Sequence, residues 1–211
     1  MNHSKLTYLA CVVALVAGCA TSASSTMSDD AIAKKALDVM KHSFKERGQA
    51  KLDRLDQDEV QATCSKFESH DKMPKDVAER IEKSQLATVK YPADGTMLGD
   101  WKAGEAIAQS GVGKQFNDDP ARPNGANCYA CHQLTPAELA FGTIGPSLLG
   151  YGKLRGNTPE MQKYTYAKVY NSQAFNACSN MPRFGHNGIL TEQQMKDVVA
   201  LLLDPTSPVN K

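Results

Sequence analysis

Two cysteines and a histidine lie close together in the pentapeptide Cys128-Tyr129-Ala130-Cys131-His132. Two thiols at this spacing lie on one turn of the chain, where each can add across a vinyl group of a haem. The adjacent His132 is then held beneath the iron as an axial ligand. The pentapeptide therefore predicts one covalently bound haem c, attached through Cys128 and Cys131 and ligated by His132.

Three other interpretations of the pentapeptide compete with haem attachment. A thioredoxin-like redox pair would need a βαβ context, and no run of alternating residues is long enough to indicate a strand. A zinc site would need a second pair of ligands; Cys178 and His186 are available, but their spacing does not suit a zinc finger. A plain disulfide between Cys128 and Cys131 would not need His132.

The second axial ligand should come from a loop well downstream of the pentapeptide, and Met181 is the best candidate. It lies in the stretch Cys178-Ser179-Asn180-Met181-Pro182-Arg183-Phe184-Gly185, just before the predicted last helix. Met161 and Met195 fit apolar helix positions better, which favours core packing for both. His186 is the alternative ligand, and it would give a lower reduction potential because a thioether stabilises reduced iron.

The first 18 residues predict a signal peptide. Their apolar run, residues 9–17, is too short to span a bilayer, which needs about 20 residues. The stretch Val16-Ala17-Gly18-Cys19 resembles a bacterial lipobox, which predicts cleavage before Cys19 and lipid attachment to its thiol. Ordinary cleavage near Ala20 or Ala23 is the alternative. We therefore expect a periplasmic protein, anchored to the membrane if Cys19 carries lipid.

The exported chain divides into three predicted segments. Residues 19–28 are small and polar, which predicts a flexible tether. Residues 29–95 predict a helical extension that ends in a turn at Tyr91–Gly95; its first helix has apolar residues at every fourth position up to Phe44 and should stop near Gly48. Since its apolar positions are few, the extension should pack on the next domain or on a partner. Residues 96–211 form the remaining domain.

Helix signals in residues 96–211 predict an all-α domain. Asp100 caps a helix that continues to Ser110. Thr158 with Pro159 opens a helix that ends near Asn171. A capping box at Thr191 opens the last helix, which Asp204-Pro205 ends.

Composition and charge exclude several classes of protein. The chain has 211 residues, of which 41% are hydrophobic and 22% charged, so whole-chain disorder is excluded. A formal net charge of +1 gives no basic stripe, and we expect no nucleic-acid partner. There is no phosphate-binding loop, serine-nucleophile motif or pair of catalytic carboxylates, so we predict no catalytic residues in this chain.

Residues 96–211 resemble a class I c-type cytochrome. The matching features are a first helix with Gly104, the pentapeptide, the stretch Ile144-Gly145-Pro146-Ser147-Leu148, the Met181-Pro182 loop and Leu190-Thr191 before the last helix. The resemblance implies an all-α, class I cytochrome c-like fold around one covalent haem, here with an N-terminal helical extension. It also implies that Pro146 packs near the haem-ligating histidine and that the first and last helices cross at Gly104.

A narrower resemblance is to the SoxX family, the monohaem subunits of the sulfur-oxidising cytochrome complex. It is carried by residues 142–148, by Ala174-Phe175-Asn176-Ala177-Cys178-Ser179 leading into residues 181–185, and by residues 197–210. This resemblance implies a catalytic cytochrome partner of the SoxA type. It also implies a SoxYZ carrier whose cysteine receives thiosulfate, and a soluble cytochrome c that accepts the electrons.

The chain would then be the electron-accepting subunit of an L-cysteine S-thiosulfotransferase whose catalytic site lies on the partner. A stand-alone periplasmic electron carrier is the alternative function. A lipid-anchored structural or haem-sensing module is a third.

Cys64 and Cys178 are the remaining thiols. In an oxidising compartment they can pair, which would join the extension to the loop that carries Met181. Two unrelated thiols, or a bridge to a partner chain, are the alternatives. Arg183 and Arg155 are loop arginines that we expect to be solvated.

Overall fold

The computed structural model describes residues 27–67 and 72–211, and the chain divides into two compact units, Met1–Phe44 and Lys45–Lys211. The predicted signal peptide, Cys19 and most of the tether lie outside the described residues. Among the described helices, none is both long enough and apolar enough to cross a membrane.

The described part of the first unit is one helix, α1, Asp29–Ser43. The Ser28 hydroxyl accepts a hydrogen bond from the Ala31 N–H and caps the helix, and Asp29 and Asp30 place negative charge in its first turn. The predicted apolar stripe is present but exposed, and α1 contains no buried residue. The helix ends before the predicted Gly48 because Phe44 already has extended backbone.

The described residues of the second unit form six α-helices and four short 3-10 turns. The α-helices are α2 Glu59–Cys64, α3 Lys75–Leu86, α4 Trp101–Gln109, α5 Tyr151–Arg155, α6 Pro159–Tyr170 and α7 Glu192–Leu203. The 3-10 turns are Leu52–Leu55, Cys128–Ala130, Ser172–Ala174 and Pro208–Asn210. Extended pairing in the described ranges is limited to an isolated bridge between Arg47 and Ala50. The predicted all-α class is confirmed.

The predicted helix starts of the second unit are present. The side chains of Asp100, Thr158 and Thr191 each accept a hydrogen bond from a backbone N–H in the first turn of α4, α6 and α7. Thr191 and Gln194 form the complete capping box. Local hydrogen bonds that can be recognised from the sequence therefore fix where these three helices begin.

Helices α4 and α7 approach each other closely enough for their backbones to touch. A Cβ atom on Gly104 of α4 would lie 2.2 Å from the Asp197 carbonyl oxygen and 3.0 Å from the Leu201 Cβ of α7. The Asp197 carboxylate also accepts a hydrogen bond of 2.9 Å from the Asp100 N–H. Only glycine leaves room for this approach. The structure therefore contains the helix crossing at Gly104 that the resemblance implies.

The predicted extension, residues 29–95, is divided between the two compact units. Residues from Lys45 onward belong to the same compact unit as the rest of the chain. Helices α2 and α3 each offer few apolar side chains, and Val60 of α2 and Ile81 of α3 are buried in a second cluster that includes Ala177. They pack there because neither helix can bury its apolar face alone.

We expect Gly104→Ala to destabilise the fold by about 1–3 kcal/mol, because the added methyl overpacks the contact between α4 and α7. At a helix position with free space, a change from glycine to alanine stabilises the protein by about 1 kcal/mol. The sign of the stability change therefore shows whether Gly104 lies in a close contact. Thermal or chemical unfolding measures it. Ala106→Leu, on the exposed face of α4, is the control and should change stability by less than about 0.5 kcal/mol. A Gly104→Ala variant as stable as the parent would contradict the close contact.

Candidate functional site

The predicted pentapeptide forms a tight turn. Residues Cys128–Ala130 are a 3-10 turn, and the N–H groups of Cys131 and His132 both donate to the Cys128 carbonyl oxygen, at 3.1 and 2.9 Å. Cys128 and Cys131 are both free thiols. The structure therefore places the two thiols on one turn, as the spacing predicts, and does not contain the alternative disulfide between them.

The turn is attached to the end of α4. The Ala126 N–H donates to the Ile107 carbonyl oxygen, and the Tyr129 hydroxyl donates to the Glu105 carboxylate at 2.9 Å. Burial raises the pKa of the Tyr129 phenol to about 12, and the Glu105 carboxylate works in the same direction. Burial likewise raises the pKa of the Cys128 thiol to about 12. The Tyr129 side chain thus fixes the turn to the core.

The loop that follows the turn folds back along it and fixes the His132 ring. The N–H of Gly145 donates to the Cys131 carbonyl oxygen at 2.8 Å, and the N–H of Leu148 to that of Gln133 at the same distance. The Pro146 carbonyl oxygen lies 2.7 Å from His132 Nδ1. Because a carbonyl oxygen only accepts, Nδ1 carries the proton and the lone pair is on Nε2, which is the form of histidine that ligates a metal.

Gly145 lies against the face of the His132 ring. A Cβ atom at this position would lie 2.2 Å from the ring carbon Cε1 and 2.5 Å from Nδ1. Any side chain would displace the imidazole or the loop, so the sequence Gly145-Pro146 sets both the position and the tautomer of His132. The implied proximity of Pro146 to this histidine is present.

The residues of this site fit a covalently bound haem. Two free thiols on one turn, beside an imidazole whose Nε2 is available, are the donors that haem c requires. The loop that follows the turn exposes apolar side chains, since Leu139 is 88% exposed and Ile144 is 80% exposed. An apolar cofactor would cover such surface. In the described ranges, no three His, Cys, Asp or Glu side chains are grouped so as to hold a metal ion directly.

Met181 borders the same hydrophobic core as Cys128 and is partly buried. Its backbone is held on both sides, because its N–H donates to the Ser179 hydroxyl at 3.2 Å and its carbonyl oxygen accepts from the Ser172 hydroxyl at 2.6 Å. Met195 is buried in α7 and Met161 packs against the core from α6. The two helical methionines therefore have the packing positions that the sequence predicts.

The alternative ligand His186 is directed towards another part of the chain. Its Nδ1 lies 3.3 Å from the Thr88 hydroxyl oxygen. Burial lowers the pKa of its imidazole, and the Arg183 guanidinium adds to that effect while Asp58 partly opposes it. His186 is thus involved in contacts with residues far upstream.

Cys64 and Cys178 form a disulfide, with their Cα atoms 5.7 Å apart. This is the pair that the thiol count predicts, and it leaves Cys178 unavailable as a zinc ligand. The bond joins α2 to the loop that carries Met181.

Arg183 corrects a prediction, because it is buried rather than solvated. Its guanidinium donates to the Asp58 carboxylate, and the residue is 8% exposed. Sequence reasoning missed this ion pair; the only local signal was the capping pattern of Asp58 and Gln61, which marks the start of α2 but not its distant partner. Arg155 instead lies over the Tyr151 ring, 5.3 Å from its centroid.

Comparison with known proteins gives two matches. The family described as cytochrome c matches residues 113–204, a range that contains both the pentapeptide and Met181. A protein of Aquifex aeolicus (strain VF5), described as an uncharacterized lipoprotein, is 43% identical over 158 residues, which cover 74% of this chain and 73% of that protein.

Proposed function

We propose that this chain, which contains a class I cytochrome c domain and belongs to one family with the Aquifex aeolicus lipoprotein, is the haem subunit of a periplasmic thiosulfate-oxidising complex, as its resemblance to the SoxX family implies. A cytochrome c domain functions in haem-based electron transfer. The observation that carries the haem-binding part of the proposal is the His132 ring, fixed by the Pro146 carbonyl oxygen beside two free thiols on one turn.

Cys128 and Cys131 hold the haem in this proposal through thioether bonds, and His132 supplies one axial ligand through Nε2. When bound, haem c supplies an iron that takes up and releases one electron at a time. The hydrogen bond from His132 Nδ1 to Pro146 keeps the ring oriented and makes Nε2 a better donor.

Met181 supplies the second axial ligand in this proposal. A thioether stabilises the reduced form of iron, so ligation by Met181 gives a higher reduction potential than ligation by His186. Its position supports this assignment, since Met181 and Cys128 border the same core.

The reaction of the whole complex explains why it needs a subunit that transfers electrons. A carrier thiol and thiosulfate form a sulfur–sulfur bond, R–SH + S₂O₃²⁻ → R–S–SSO₃⁻ + H⁺ + 2e⁻, and the two electrons must leave. A chain with one haem accepts one electron at a time, which suits transfer and not the bond-forming step. The catalytic site would lie on a SoxA-type partner, the thiol on a SoxYZ-type carrier, and a soluble cytochrome c would take the electrons onward.

The support for this specific assembly is the resemblance of residues 142–148, 174–185 and 197–210 to the SoxX family. In the structure these stretches contain the loop that fixes His132, the loop around Met181, and α7 with the C-terminal turn. The resemblance therefore covers the parts of the chain that position the proposed iron ligands.

We assign the chain to the periplasm, with a lipid anchor on Cys19. The lipobox-like stretch at residues 16–19 and the description of the Aquifex aeolicus relative as a lipoprotein both support this location.

A stand-alone electron carrier is the second candidate, and one observation removes an argument against it. A helical arm would be of use to a tight heterodimer, but residues 45–95 belong to the compact unit of the cytochrome domain. That part of the chain packs internally, so it gives no independent argument for a partner subunit.

Replacing Met181 with histidine should lower the reduction potential of the haem protein, because the soft thioether is exchanged for imidazole; axial ligands together set haem potentials over a range of about 0.8 V. Potentiometric titration of the purified haem protein measures the change. Met161→Leu, a methionine packed against the core from α6, is the matched control and should leave the potential unchanged. An unaltered potential in Met181→His would remove Met181 as the ligand.

Purification of the tagged chain from its native periplasm and membranes should bring down a second haem-bearing chain in a one-to-one ratio. Thiosulfate together with the carrier protein should then reduce the haem of the tagged chain, which its absorption spectrum reports. A chain that comes down alone, stays monomeric and is not reduced under these conditions is a tethered electron carrier, and the subunit proposal is then wrong.

A further inference from the structure

The loop that contains Met181 is held by side chains from a distant part of the chain. We call residues 171–186 the methionine loop and residues 58–88, of which 58–67 and 72–88 are described, the brace. The disulfide between Cys64 and Cys178 joins the brace to the loop three residues before Met181. One covalent link thus limits the movement of the loop on the N-terminal side of the proposed ligand.

An ion pair joins the brace to the loop on the other side of Met181. Arg183, two residues after the methionine, donates to the Asp58 carboxylate, and the Arg183 side chain is only 9% exposed. A buried guanidinium depends on its partner, because an unpaired buried charge is strongly unfavourable. Asp58 is itself fixed, since it accepts from the Gln61 N–H in the capping box of α2.

Helix α3 supplies the polar contacts between brace and loop. The Ala177 N–H donates to the Glu82 carboxylate at 3.2 Å. The Asn171 side chain is fully buried, and its Nδ2 donates to Gln85 Oε1 and to the Thr88 hydroxyl oxygen, each at 3.0 Å. Buried polar groups of the methionine loop thus find their hydrogen-bond partners in the brace.

A small apolar cluster fills the space between the same two segments. Its buried members are Val60, Met73, Ile81 and Ala177. Three of the four come from the brace, and the fourth lies next to the disulfide. This cluster is separate from the main core that Cys128 and Met181 border, so the brace has its own packing with the methionine loop.

We propose that the brace keeps Met181 on the iron, with Asp58 and Cys64 as positioning residues. The inference rests on the proposed function, because it takes Met181 as an axial ligand. Release of the methionine requires the loop to move away from the haem, and brace contacts lie on both sides of Met181. Contacts that are made only when the loop is closed shift the equilibrium towards the ligated state.

An external ligand that competes with Met181 tests the proposal. Imidazole binds the ferric haem protein only when the methionine is off, so its apparent affinity rises with the fraction of open loop. We expect Asp58→Asn to increase the fraction of open loop and so to raise the imidazole affinity about tenfold or more. The absorption spectrum measures the binding. Asp58→Glu, which retains the charge, should restore the parent affinity.

Two control variants separate positioning from general stability. Asp76→Asn removes an exposed ion pair with Arg80 inside α3 that does not involve the loop, and it should leave imidazole binding unchanged. Gly104→Ala destabilises the fold far from the brace and should raise the affinity less than Asp58→Asn does. If Asp58→Asn does not fold, the double variant Cys64→Ser with Cys178→Ser removes the covalent link between the brace and the loop and should show the same increase.

Met181→Ala separates failure of this inference from failure of the proposed function. If Met181→Ala binds imidazole no more tightly than the parent, Met181 is not the ligand, and the ligand assignment made under the proposed function is wrong. If Met181→Ala binds it tightly while Asp58→Asn and the double cysteine variant bind as the parent does, Met181 is the ligand and the brace does not hold it.

Discussion

The backbone contact between α4 and α7 at Gly104 is the constraint on which the rest of the domain depends. It brings the Asp197 carbonyl oxygen to within 2.2 Å of where a Cβ atom would lie, and no other residue type leaves that space. Helix α7 buries every residue from Met195 to Leu203 against its neighbours. The Ala126–Ile107 hydrogen bond attaches the pentapeptide turn to the end of α4. The crossing of α4 and α7 therefore sets the position of the proposed haem-attachment site.

The two proposed iron ligands are positioned by different parts of the chain. His132 is fixed locally, through the Pro146 carbonyl oxygen and the close approach of Gly145. Met181 is held from a distance, by a disulfide and a buried ion pair that connect its loop to α2. In the proposed site, ligation by His132 would be independent of the brace, whereas ligation by Met181 would depend on contacts that a single substitution can break.

Local patterns in the sequence predict much of this structure, but they do not predict which distant segments contact each other. Asp100, Thr158 and Thr191 mark their helices because capping is a bond within one turn. The pentapeptide predicts its own turn for the same reason. The partner of Arg183 could not be predicted, because it depends on which segments meet after folding. For residues 45–95 the sequence predicts packing, but it leaves open whether they pack on the next domain or on a partner. The disulfide was predicted only because the thiol count left one pair.

Mass spectrometry of the chain purified from its native cells tests whether the pentapeptide carries a covalent haem. The peptide that contains Cys128, Cys131 and His132 should carry the mass of one haem, and neither thiol should react with an alkylating reagent. A peptide without that added mass, with Cys128 and Cys131 either alkylated or joined to each other, would contradict the account.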